Sequence, residues 1–123
     1  MSHPREELDG LLQHAVRLSI VGALSAAEEV EFGYLRDVLS VSDSVLSRQL
    51  SQLEEAGYIH IRKGYVGKRP RTWLSLTELG GDVLARHMHA LQEIVNFSGR
   101  DQSTRLEKTF PKQPSSDDLI RAE

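Results

Sequence analysis

Three leucines, Leu46, Leu50 and Leu53, recur at helical spacing, and the residues around them leave that segment few ways to fold. Ser42 precedes them as an N-cap, since its hydroxyl can accept a free N–H of the first turn. Asp43 suits the positive end of the helix dipole. Gly57 is a natural stop. The period then changes at once. Tyr58 to Lys63 alternates, with Ile59 and Ile61 on one side and Tyr58, His60 and Arg62 on the other. Gly64 to Pro70 reads as a loop rich in glycine and cations, and Thr72 to Leu76 alternates again with Leu74 and Leu76 apolar. A short helix followed by a β-hairpin with a long basic tip is therefore expected here.

The flanks read as support. Glu6 to Ala27 carries an apolar stripe (Leu8, Leu11, Leu12, Ala15, Leu18, Val21, Leu24), and a break near His14 and Ala15 would give two helices. Val30 to Phe32 could form a very short strand. Gly33 to Leu39 reads as a brief helix with Leu35, Val38 and Leu39 inward. Thr77 caps a last helix, striped by Leu79, Val83, Leu84, Met88, Leu91, Ile94 and Val95 to about Asn96. That stripe exceeds what so small a domain must cover. Leu8, Leu11, Leu84, Met88, Leu91 and Val95 are therefore expected to pack on a second copy, the alternative being that the stripe folds back on its own core. From Ser98 the composition turns polar, with Pro111 and Pro114, which suggests a mobile tail. The expected organisation is a domain over 1–97 and a disordered tail over 98–123. The fold class is mainly α with a small β-hairpin.

Composition removes several chemistries. The 123 residues contain no cysteine, which excludes disulfides, thiolate metal sites and cysteine nucleophiles. His3, His14, His60, His87 and His89 form no metal or nucleophile motif, and His87 and His89 would diverge on a helix. Neither a phosphate-cradling glycine loop nor a nucleophile elbow is present, so neither an enzyme nor a cofactor is expected. With no long apolar run and no signal pattern at the N-terminus, a soluble cytoplasmic protein is the default.

The formal net charge of −3 hides an asymmetry. Between Val45 and Leu76 stand six cations, Arg48, Arg62, Lys63, Lys68, Arg69 and Arg71, against Glu54 and Glu55. That local +4 leaves −7 for the remainder. A basic stripe on an acidic body suits phosphate contact, although a solvated charged loop would look the same by charge alone.

Away from the leucines the helix presents Ser44, Val45, Ser47, Arg48, Ser51 and Gln52, with Gln49 at the margin. A guanidinium such as that of Arg48 can fork onto guanine O6 and N7, and Gln49, if it points outward, could pair with adenine. Ser44 and Ser47 suit phosphate beside the helix N-terminus. Val45 could meet a thymine methyl. In the hairpin, Lys63, Lys68, Arg69 and Arg71 could reach phosphates or a minor groove, while Arg62 could as easily pair with an acidic residue of the body. Tyr34, Trp73 and Met88 could line a small-molecule pocket, core packing being the plainer role.

The order helix, short helix, helix, hairpin, long helix resembles a winged helix-turn-helix. Ser47-Arg48-Gln49-Leu50-Ser51-Gln52-Leu53-Glu54-Glu55-Ala56-Gly57-Tyr58-Ile59 is similar to the recognition helix of MarR- and ArsR-type transcription regulators. Lys68-Arg69-Pro70-Arg71-Thr72 and Leu76-Thr77-Glu78-Leu79-Gly80 resemble the wing and following helix start of a small MarR-like group. His14-Ala15-Val16-Arg17-Leu18-Ser19-Ile20 resembles that group's opening, without its usual proline and one residue short. The likeness covers roughly 8–95. It implies a homodimer on double-stranded DNA at a near-palindromic operator, with one helix per subunit in a major groove. It also implies repression relieved by a small-molecule effector or another signal. The rival is a winged-helix protein-interaction module, but such modules usually lose the cations kept here.

Overall fold

The computed structural model describes residues 3–109, with side-chain placement for 3–97. Two 3-10 turns, Pro4–Glu7 and Leu11–Gln13, lead into α1 (Ala15–Ser25). Then come β1 (Val30–Glu31), α2 (Phe32–Leu39), α3 (Asp43–Glu55), β2 (Ile59–Val66), β3 (Arg69–Leu76) and α4 (Glu78–Thr109).

The break expected near His14 is present, and two capping side chains explain it. Asp9 Oδ1 accepts from the N–H groups of Leu11 and Leu12. His14 is extended (φ −92°, ψ 125°), and its side chain accepts from Val16 N–H at the start of α1. Both caps draw backbone donors out of a continuous helix.

Helix α3 starts as expected, with Ser42 Oγ accepting from Val45 N–H. Leu46, Leu50 and Leu53 are all buried, packing against Ile20, Val21, Leu24, Leu35 and Ile59. Each such leucine contributes about 1.5–3 kcal/mol by leaving water. Past Gly57, Tyr58 N–H bonds back to Leu53 O and closes the helix end.

The sheet has the order β1-β3-β2, all antiparallel. The expected long loop at 64–70 is replaced by strand. β2 and β3 pair out to Val66 and Arg69, leaving Gly67 and Lys68 as the whole turn. Gly67 has φ +63° and Lys68 is not at positive φ, the arrangement of a II′ hairpin turn. The strand period continues into polar residues, so Lys63 and Thr72 pair on the same face as Ile61 and Leu74.

Helix α4 begins against the hairpin. Thr77 Oγ1 accepts from Gly80 N–H, and Thr77 N–H donates to Tyr58 O. A Cβ at position 80 would lie 2.1 Å from that same Tyr58 oxygen, so only glycine permits the approach. The helix runs to Thr109, past the expected end near Asn96, because a polar helical segment carries no apolar stripe to announce it. The first part of the tail expected from Ser98 is thus helical; 110–123 lies outside the described residues. Val38, expected inward, is exposed on α2.

The N-terminal segment is tied to both α4 and the sheet. Asp9 N–H donates to Nδ1 of buried His87, and Tyr58 Oη donates to Asp9 Oδ2 at 2.6 Å. Burial and then the Asp9 carboxylate push the Tyr58 phenol up to about 12, since both disfavour the phenolate.

Candidate nucleic-acid interface

One side of the molecule brings α3 and the hairpin together. Ser44, Val45, Ser47, Arg48, Ser51 and Gln52 are exposed on α3, opposite its leucines. A crevice of about 330 Å³ separates this face from the hairpin. Ser47 and Ser51 line it from the helix, Lys63 and Thr72 from the strands, over a floor of Phe32, Leu50 and Ile61. Lys68 and Arg69 stand exposed at the hairpin tip, together with Tyr65 and Val66.

The seven arginines and lysines of α2, α3 and the hairpin divide into two groups. Arg36 bonds Asp37 and Asp43, both at 3.0 Å. Arg62 grips Glu29 with two bonds (3.0 and 2.9 Å) and stacks over Trp73, 4.2 Å from the ring centroid. Those bonds hold the Glu29 carboxyl below its ordinary value. Arg71 bonds Glu31 at 2.8 Å. By contrast, Arg48, Lys63, Lys68 and Arg69 have no ion pair among the described residues. The unpaired four lie along α3, the crevice and the tip. The alternative left open for Arg62 in the sequence is the one observed.

Two of the expected DNA-contact residues are engaged within the protein. Gln49 is only 8% exposed and its Oε1 accepts from Arg17 Nη1 at 2.9 Å, so it faces α1 and not the surface. Its place one turn from Leu46 and Leu53 puts it on the buried side of the helix margin. Arg71 is half-buried and charge-neutralised by Glu31, reached across the β1–β3 pairing, and is not a free wing cation. Gln52 stays exposed, with its oxygen also bonded to Arg17. Arg17 was missed because its partners lie more than thirty residues away in sequence.

The proposed effector trio does not form a core or a common lining. Tyr34 and Met88 are both exposed, on α2 and α4, and Trp73 lies beneath Arg62. Tyr34 lines a crevice between α2 and β3 with Pro70, Arg71 and Thr72. Of the residues expected to face a second copy, Leu84 packs partly on the chain's own core. Leu8, Leu11 and Leu91 are half-buried, while Met88 and Val95 are exposed. Among the described residues, no group of three or more His, Cys, Asp or Glu could hold a metal ion. No described helix is long and apolar enough to cross a membrane.

The family described as winged helix DNA-binding domain matches residues 16–95. This chain belongs to that family. The matched winged-helix segment holds α1 to the middle of α4, including every residue of the face just described. An uncharacterised protein of Methanocaldococcus jannaschii is 26% identical over 84 residues, spanning 68% of this chain and 91% of that one. A transcriptional regulator homologue protein from Pyrococcus horikoshii OT3 superposes with a TM-score of 0.71 at 25% identity. It covers 78% of this chain and 96% of that one. MarR shares the fold, with a TM-score of 0.64 at 20% identity over 78% of this chain and 69% of its own. The winged-helix architecture is thus that of the MarR-type transcriptional regulators.

Proposed function

We propose that this winged-helix protein is a cytoplasmic transcriptional regulator that binds double-stranded DNA as a homodimer at a near-palindromic operator, acting as a repressor. Helix α3 enters the major groove, Arg48 reads a base edge, and Ser44, Ser47 and Ser51 meet phosphates. Val45 approaches a thymine methyl and Gln52 a base edge. Lys63 grips the backbone strand that crosses the crevice, and Lys68 and Arg69 carry the turn to the adjacent backbone or minor groove. The long α4 supplies the dimer contact through Met88, Val95 and the half-buried Leu8, Leu11, Leu84 and Leu91. A small molecule acting on this arrangement is the simplest release signal.

The observation that carries this reading is the split among cations. Arg36, Arg62 and Arg71 are neutralised by carboxylates, and those along the exposed face of α3, the crevice and the tip are not. A protein-interaction module has no need of such a division. Fluorescence anisotropy on random duplex DNA at low salt, followed by selection from a randomised duplex library, tests it. Retention of random DNA and enrichment of a two-fold symmetric site are expected. No binding at low salt would refute the DNA reading.

A further inference from the structure

We propose that Arg17 is a specificity-positioning residue, which restricts Gln52 to hydrogen-bond donation when α3 meets a base. This rests on the reading above that α3 enters the major groove. Arg17 sits on α1, and all three of its bonded hydrogens are directed. Nε donates to Leu11 O at 2.7 Å, and Nη1 donates to Gln49 Oε1 and Gln52 Oε1, each at 2.9 Å. A guanidinium has donors only, so the atom each glutamine turns toward it must be the carbonyl oxygen. The two amides, about one helical turn apart on α3, are fixed in the same sense.

Gln49 uses its oxygen inside the protein. Gln52 is exposed, and with its oxygen drawn back toward α1 its NH2 group leads outward. That orientation decides what it can read. Bidentate pairing with adenine needs oxygen and NH2 side by side, one accepting from N6 and the other donating to N7. A leading NH2 only donates, and so makes one bond to guanine N7 or O6, thymine O4 or adenine N7, while the oxygen that adenine N6 would need faces Arg17. Turning the amide to suit adenine breaks a charge-assisted bond, roughly twice as strong as a neutral one. Arg17 thereby removes the two-bond advantage of adenine over guanine and thymine without touching DNA.

The experiment is selection and sequencing from a randomised duplex library with the full chain as wild type, Gln52→Ala, Arg17→Met and the double variant. Gln52→Ala identifies the base pair that Gln52 reads, by the preference lost there. Wild type should select against cytosine, which offers only a donor, and show no preference for adenine over guanine or thymine at that position. Arg17→Met, which removes the donors, should create a preference for adenine there on the order of tenfold, with other positions unchanged. In the Gln52→Ala background the Arg17 change should alter no base preference. Gln52→Glu keeps Arg17 and the fold contact but replaces the donor by an acceptor, so preference should move to cytosine. A uniform loss of affinity with unchanged preference would show Arg17 to be a brace alone and overturn the proposal. So would a wild-type preference for adenine, or a Gln52→Ala variant that loses no preference. If wild type selects no sequence, the DNA reading itself fails.

Discussion

The division of cations makes a quantitative prediction about salt. Each bound phosphate releases counterions, so log K falls with log salt at a slope of about −0.9 per phosphate neutralised on duplex DNA. Three unpaired cations per chain are placed on the backbone, Lys63, Lys68 and Arg69, which gives six in a dimer and a slope near −5. Affinity should then drop by about 10³-fold between 50 and 200 mM salt. Lys68→Ala removes two of the six, so its slope should flatten by about 2, with affinity for all sequences reduced alike. The paired cations supply the control. Arg62→Gln with Glu29→Gln removes a bonded charge pair (2.9 Å) and no net charge, and should leave the slope unchanged. The assay is anisotropy titration of one labelled duplex across that salt range, with circular dichroism to check folding. If the Lys68 variant keeps the wild-type slope, or the Arg62/Glu29 variant changes it equally, the assignment of free and neutralised cations is wrong.

Arg48→Ala should weaken the selected site by about 1–3 kcal/mol and broaden base preference at one position per half-site, read by competition between duplexes. Tyr58 links stability to alkaline pH. Its proton is held to about 12 when folded against 10.0 when free, so the unfolded chain releases it first and stability falls between those values. The contribution lost is about 1.4 kcal/mol by pH 11 and about 2.7 kcal/mol well above 12. Urea unfolding of wild type and Tyr58→Phe at pH 9 and 11 should show the gap between them shrinking by the first amount. Met88→Asp together with Val95→Asp should shift sedimentation from dimer to monomer while leaving the melting temperature of the core nearly unchanged, since both residues are exposed in the single chain.

The parts of the fold legible in sequence were those fixed by neighbours. Ser42 and Thr77 cap helices through bonds spanning three residues, and the Leu46–Leu50–Leu53 stripe needs only helical period. His14 interrupts a helix through its own Nδ1. What escaped depends on distant partners. Nothing near Gln49 announces that Arg17 will claim its oxygen, and nothing near Arg71 names Glu31. The hairpin length was misread because glycines and cations at 64–70 suggest a loop. Pairing across β2 and β3 overrides that local preference, and Gly64 lies beneath the Trp73 ring, where a side chain would crowd the indole.

Gly80 sets a mechanical condition on the whole assembly. The 32-residue α4 is about 48 Å long, and its root rests on a peptide oxygen with no side chain between. Each degree of tilt imposed there would sweep the far end by about 0.8 Å. A bare hydrogen at one position thus governs the angle of a lever, and through it the distance separating the two halves of any pair built on that helix.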